Sequence, residues 1–228
     1  MVIGNGLMAN AFSDYKERND ILIFASGVSN SLEIDQTEFD REFKLLKSIL
    51  CKHPNCKLIY FSTVTIKNDA LRQSPYIKHK IIVEKHIQST VSNYLILRVS
   101  QVVGNGGNNH TIMNYLVSNV SNAISFDLWK SAERNIIDIE DVKYVVDQLL
   151  QQDVKNKIIN IAMRENIKVI ELVKLIEHYL NKKAKFNLIE KGGRLKIDVD
   201  YISETLINLE KVKGKEVQYI SQLLEKYY

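Results

Sequence analysis

The chain has 228 residues, 45% of them hydrophobic and 25% charged. That balance supports one good core, or one core with a small appended lobe, and excludes a second large domain and a disordered or fibrous chain. The formal net charge of +4 comes from lysines spread among Asp and Glu, which reads as a solvated surface with a mild positive field rather than a nucleic-acid patch.

In chain order, Met1 to Ile3 is a short apolar run leading into Gly4-Asn5-Gly6, and Leu7 to Tyr15 follows as a predicted helix. Asp20 to Ala25 (DILIFA) is a continuous apolar run of the kind buried on both faces of a sheet. Thr37 to Leu50 sets Phe39, Phe43, Leu46 and Ile49 three and four residues apart, an amphipathic helix. Lys57 to Phe61 is the next predicted strand, Ser74 to Gln88 a helix opened by Ser-Pro, and Tyr94 to Val99 a further strand before a polar loop at Gly104 to His110. Beyond it come a helix at Thr111 to Ser121 and short strands at Phe126 to Leu128 and Asn135 to Ile139. Helices follow at Ile139 to Gln151 and Val169 to Leu180, flanking a strand at Ile158 to Ile161. Strands alternating with helices predict a parallel sheet covered on both faces.

Nothing in the chain has the apolar length to span a bilayer, and the opening MVIGNGLMANAF shows neither a basic leader nor a cleavage site. No membrane partner and a cytoplasmic location are therefore expected. Cys51 and Cys56, with His53 between them, lack the ligand spacing of a structural zinc site and read as reduced thiols with no metal.

Two motifs carry chemistry. Gly4-x-Gly6-x-x-Ala9, after a strand and opening a helix, suits a dinucleotide: Gly4 for the tight turn, Gly6 for close approach to the pyrophosphate, Ala9 for helix packing. The N–H groups near Leu7 and Met8 are candidates to hold phosphate charge. The acidic residue expected about 20 residues later for the adenosine ribose has no counterpart, because Phe12 passes through SDYKERN straight into DILIFASG. Lys16 and Arg18 there read either as a solvated helix end or as contacts for a ribose phosphate.

The second motif is Tyr76 and Lys80, four apart on one helix and so on one face, behind a strand ending in Ser62-Thr63. The Lys80 ammonium is expected to lower the Tyr76 phenol from its usual value of about 10, readying it to exchange a proton with a carbonyl oxygen that Thr63, or less favourably Ser62, also holds.

The segments GNGLMA (4 to 9), DILIFASGVSNS (20 to 31), FSTV (61 to 64), SPYIKHK (74 to 80), LRVSQVVG (97 to 104) and RNIIDIEDV (134 to 142) stand in the order of an extended short-chain dehydrogenase/reductase. The chain resembles the NAD-dependent epimerase/dehydratase group of that family, whose members modify nucleotide sugars. The resemblance implies an α/β fold: a reduced Rossmann-like parallel sheet with helices on both faces and a small C-terminal substrate lobe. The dinucleotide domain is then expected at residues 1–105 with about 136–152, and the lobe at 106–135 and 153–228.

By the same resemblance Thr63, Tyr76 and Lys80 are catalytic. Gly4, Gly6, Leu7, Met8, Ala25, Ser26, Gly27, Lys80 and Val102 contact NAD or NADP, and Ser62, Gln101, Asn109 and Arg134 contact the substrate. Arg134 is the diphosphate-pairing arginine, with a surface pair to Glu133 or Asp138 as the other reading, and Trp129 is lobe core or a base-stacking surface. Lys67 stands where the family often has an aromatic. The implied activity is reduction of a keto-sugar nucleotide. The alternatives are an epimerase or dehydratase cycle with recycled NAD, and a binding or regulatory protein that keeps the fold without turnover. The partner implied is a small-molecule nucleotide sugar, with no nucleic acid; a homodimer through the helices at 37 to 50 and 75 to 88 is compatible with the resemblance.

Overall fold

The computed structural model describes residues 1–106 and 111–228, which form two compact units: Met1–Val99 with Val142–Ile161, and Ser100–Asp141 with Ala162–Tyr228. The first unit contains β1 (Val2–Ile3), α1 (Leu7–Ala11), β2 (Ile21–Phe24), α2 (Gln36–Lys52), β3 (Lys57–Thr63), α3 (Pro75–Thr90) and β4 (Tyr94–Val99). The chain then enters the second unit through β5 (Gln101–Val103), α4 (Ile112–Ser121), β6 (Phe126–Trp129), β7 (Glu133–Arg134) and β8 (Ile136–Asp138). It returns to the first with α5 (Ile139–Gln151) and β9 (Lys157–Ile161). The second unit closes with β10 (Ile167–Lys168), α6 (Val169–Leu180), β11 (Phe186–Ile189), α7 (Ser203–Lys213) and α8 (Glu216–Tyr227).

The sheet of the first unit has the order β1-β2-β3-β4-β9, every neighbour parallel. Register places Leu22, Leu58 and Tyr94 in one row and Phe24, Tyr60 and Ile96 in the next. Side chains alternate faces along a strand, so these six form one apolar layer, and Leu46 of α2 with Val83 and Ile87 of α3 close it. The other face takes Phe12, fully buried, whose ring lies 5.4 Å from that of Phe61. On that side Tyr15 Oη donates to Asp147 Oδ1 of α5 at 2.7 Å. Strands buried on both faces explain why the apolar runs are unbroken. No helix among the described residues is long and apolar enough to cross a membrane.

Two local expectations are corrected. The helix after the glycine turn ends at Ala11 rather than Tyr15, and Ser13–Tyr15 forms a separate 3₁₀ turn, because Phe12 is drawn into the core and Tyr15 is held by Asp147. Trp129 is not lobe core: it is 45% exposed at the end of β6, whose residues alternate buried and exposed.

The second unit has three two-stranded pairings: β5 with β8, β6 with β11, and β7 with β10. Its core includes Val169, Leu172, Val173 and Ile176 on one face of α6. Tyr219 Oη of α8 donates to Asp141 Oδ2 and accepts from the Asp138 N–H, both at 2.7 Å. Lys226 Nζ and Tyr227 Oη donate to the two oxygens of Asp138 at 3.0 and 2.7 Å. These buried carboxylates are thus fully partnered, as burial demands.

Candidate active site

In a doubly wound sheet, ligands bind beyond the carboxyl ends of the strands, and the chemical residues of the first unit gather there. The turn after β1 is fixed by Gly4, at φ +130°, where an added Cβ would lie 2.5 Å from the Ala25 carbonyl oxygen; only glycine allows that crossing. Gly6 caps the start of α1, and a Cβ there would meet nothing within 4 Å. The first helical bond, from the Asn10 N–H to the Gly6 carbonyl, leaves the Leu7 and Met8 N–H groups outside the helical ladder. Ala25, hydrogen-bonded through its N–H to the Ile3 carbonyl at 2.8 Å, begins the loop that continues through Ser26 and Gly27.

Thr63 ends β3 and Ser62 precedes it, so the two hydroxyls leave opposite faces of the strand. Ser62 Oγ donates to the buried Glu84 Oε1 at 2.6 Å, and Arg98 grips the same carboxylate through Nε and Nη2 at 3.0 and 2.6 Å. The Thr63 hydroxyl lies instead 2.7 Å from Thr65 Oγ1 and accepts from the Thr65 N–H at 3.2 Å.

Tyr76 and Lys80 share a face of α3, the ammonium 5.7 Å from the centroid of the phenol ring. Both are buried, at 6% and 2% exposure. Here the structure overturns the expected effect of lysine on tyrosine. Burial, and then the charge of Glu42, push the Tyr76 phenol well above its usual value, with the Thr63 hydroxyl acting more weakly the other way. The cause is that the Lys80 charge is already matched: Nζ donates to the two carboxylate oxygens of Glu42 at 3.0 and 3.3 Å and to Tyr60 Oη at 3.1 Å.

Glu42 was not among the residues expected at the site. It is fully buried on α2, and besides Lys80 it accepts from Tyr60 Oη at 2.6 Å and from the Val28 N–H at 2.7 Å, with His79 Nε2 3.0 Å away. Burial by itself would raise its carboxyl; Lys80, His79, Tyr60 and the Val28 N–H together bring it down to about 2. A signal for it existed in the sequence: position 42 falls on the same helical face as Phe39 and Leu46, a carboxylate on an apolar stripe.

Arg18 is occupied by Asp20, through Nε at 2.8 Å and Nη2 at 2.6 Å. In the second unit Gln101 and Val102 lie on β5 and Arg134 on β7. Gln101 Oε1 is buried without a hydrogen-bond partner among the described residues. Arg134 Nη1 donates to the Glu133 carbonyl at 2.8 Å, burial lowers its pKa, and it lines a small cleft with Glu165, Glu210, Glu216 and Tyr219. Asn109 lies outside the described residues.

A glycine turn, a parallel sheet and a Tyr-x-x-x-Lys helix together narrow the possibilities, and a family model decides: that of the NAD dependent epimerase/dehydratase family matches residues 21–162. The chain belongs to this family. Among solved structures this family member is similar to a dTDP-glucose 4,6-dehydratase from Bacillus anthracis in complex with NAD, at 15% identity over 99% of this chain and 78% of that one, TM-score 0.68. It is also similar to a Thermus thermophilus UDP-glucose 4-epimerase in complex with NAD, at 14% identity over 96% and 81% of the two chains, TM-score 0.65. A third similar structure is the UDP-N-acetylglucosamine 4-epimerase of Methanobrevibacter ruminantium in complex with UDP-N-acetylmuramic acid, at 16% identity over 98% and 81%, TM-score 0.66. At these identities the likeness is one of fold. No curated protein matches this epimerase/dehydratase relative in sequence.

The residues fit one half of the family's dinucleotide. The open approach above Gly6 and the tight Gly4–Ala25 crossing make a cradle for a pyrophosphate, and Gly27 adjoins Lys80. The adenosine half lacks its usual wall: among the described residues β1 is the outer strand of the sheet, so no strand beyond it carries a ribose-binding carboxylate.

Proposed function

We propose that this protein is an NAD(P)-dependent oxidoreductase acting on a nucleotide-activated sugar, with net reduction of a keto-sugar as its reaction. The first unit would hold NAD or NADP through Gly4, Gly6, Leu7, Met8, Ala25, Ser26, Gly27 and Lys80. The second would contribute Val102 to the cofactor and Gln101, Asn109 and Arg134 to the sugar nucleotide. Support comes from the nucleotide-sugar enzymes of the same fold, two of them bound to NAD, and from the partnerless Gln101 acceptor, which a sugar hydroxyl can satisfy.

The observation that carries the reading is that Tyr76 and Lys80 share one face of α3, with Thr63 at the carboxyl end of β3, in the same parallel sheet as the strand before the glycine turn. When bound, the reduced dinucleotide supplies hydride, which no side chain can. Tyr76 then delivers the proton to the carbonyl oxygen, Thr63 orients that oxygen, and Ser62, engaged by Glu84, stays on the far face of the strand. Substitution Tyr76→Phe is expected to lower turnover by roughly 10²- to 10⁴-fold while leaving dinucleotide affinity, measured by calorimetry, within about twofold. Near-normal turnover removes Tyr76 from the mechanism.

A second reading, an epimerase or dehydratase with recycled NAD, is favoured by the activities named for the similar structures. Cofactor stoichiometry separates the two: reduced dinucleotide consumed mole for mole with product identifies a reductase, and turnover on catalytic or pre-bound NAD an epimerase or dehydratase. The outer position of β1 favours a third reading, a non-catalytic nucleotide-binding member. Calorimetric titration with NADH and NADPH separately tests it, since absence of binding to either removes the oxidoreductase.

A further inference from the structure

The glycine turn and the loop after β2 meet at Ser26. A Cβ on Gly4 would stand 3.2 Å from the Ser26 backbone nitrogen, and the loop is pinned on both sides of that residue: the Ala25 N–H donates to the Ile3 carbonyl at 2.8 Å and the Val28 N–H to Glu42 Oε2 at 2.7 Å. A cation from α2 reaches onto this corner. Arg41 Nη1 donates to the Ser26 carbonyl at 3.3 Å and stands 3.5 Å from the Ser26 hydroxyl oxygen, while its Nε donates to Glu38 Oε2 at 2.9 Å. The side chains of the Arg41–Glu38 pair keep 45% and 46% of their surface exposed.

We infer that Arg41 is a phosphate anchor for the dinucleotide: on cofactor binding its guanidinium exchanges Glu38 for the pyrophosphate seated over Gly4 and Gly6, while Ser26 keeps it aimed at the turn. This rests on the reading of the glycine turn as a dinucleotide site. The planar fork of a guanidinium suits two phosphate oxygens at once. Its contacts to Ser26 are to neutral oxygens, which orient the group without neutralising it, and an ion pair as exposed as the one to Glu38 contributes little and is readily exchanged.

The shortened sheet gives this residue its weight. Among the described residues β1 is the outer strand, so the carboxylate that would grip the adenosine ribose has no strand to stand on, and the hold on the cofactor shifts to its phosphates. The glycine turn offers backbone N–H groups but no full charge. Arg41 supplies one from the next helix, at the same carboxyl end of the sheet. Arg18, nearer in sequence to the turn, is bonded to Asp20 through Nε and Nη2 at 2.8 and 2.6 Å.

The test is calorimetric titration of the full chain with NADH and, separately, with NADPH. Arg41→Met is expected to weaken binding of both by about 10- to 100-fold, the usual span for a hydrogen bond between charged groups, because the pyrophosphate is common to the two. Added salt should weaken the wild type more steeply than Arg41→Met, since the variant has lost a charge-to-charge contact. Glu38→Gln separates anchoring from bracing: it removes the competing carboxylate, so affinity is expected to hold or rise. Wild-type affinity or an unaltered salt dependence in Arg41→Met overturns the proposal. So does a loss confined to NADPH, which would place Arg41 on the ribose phosphate, and so does a Glu38→Gln variant weakened as much as Arg41→Met, which would reduce the pair to a brace for the loop. A wild-type chain that binds neither dinucleotide removes the oxidoreductase reading itself, whereas wild-type binding that survives Arg41→Met removes the anchor alone.

Discussion

Single side chains set the chemistry of this site through what surrounds them. The Tyr76–Lys80 spacing is legible as a shared helical face, but its electrostatics are not, because the deciding group, Glu42, comes from another helix 38 positions away. Local pattern reports which residues share a face; it does not report which charge from elsewhere in the fold is buried against them. The same holds for Gly27, which reads as a cofactor-lining glycine and is also the residue whose missing side chain makes room for an ion pair. Gly4 was open to direct reading, since a strand–glycine–helix start demands a tight turn. Gly4→Ala is expected to cost about 1–3 kcal/mol, the usual strain of a non-glycine residue forced into such a conformation. Urea unfolding should show a lower midpoint with an unchanged slope, and a midpoint equal to wild type would show that the turn relaxes freely.

At the level of elements, the strands of the main sheet were readable because burial on both faces selects nearly continuous apolar runs in ILIF, KLIYF and YLILRV, broken only by Lys57 and Arg98. The helices α2 and α6 announced themselves through apolar stripes. What escaped were β5, β7, β10 and β11, of two to four residues each, and α7 and α8. The strand pairs are too short for any periodicity to register, and they form because distant segments meet. The end of α1 was misjudged for the same reason, a tertiary anchor at Phe12 overriding local propensity. One cross-element tie is measurable: Arg98 of β4 spans to Glu84 of α3 and, through it, to Ser62 of β3. Arg98→Met leaves a carboxylate that is 3% exposed without its cation, and the expected loss is about 3–5 kcal/mol. The double variant Arg98→Met/Glu84→Leu should recover most of it, and a single variant losing under about 1 kcal/mol would contradict a buried pair.

For the molecule as a whole, the alternation of strand and helix gave the parallel sheet and its coverage, and the family match over residues 21–162 agrees with the resemblance carried by the motifs. The shortened start of the sheet was visible as a missing stretch between Phe12 and Asp20, and under the proposed function it bears on the adenosine half of the cofactor. If NADH or NADPH binds the folded chain alone, the preferred dinucleotide stabilises it by about 2.7 kcal/mol at a concentration one hundred times its Kd. Thermal unfolding should then move upward with added dinucleotide and stay fixed with adenosine alone, since the adenosine side has no wall. A larger shift with adenosine than with dinucleotide would invert that assignment.

The position of β9 has a consequence during synthesis. β4 ends at Val99 and its parallel neighbour begins only at Lys157, so a ribosome must deliver the whole intervening stretch before that flank of the sheet can close. Until then a nascent chain carries an apolar strand with its backbone groups open on one side, the feature that invites pairing with another copy. Yield in a translating cell should therefore depend on how quickly, and with what chaperone protection, residues 100 to 161 emerge.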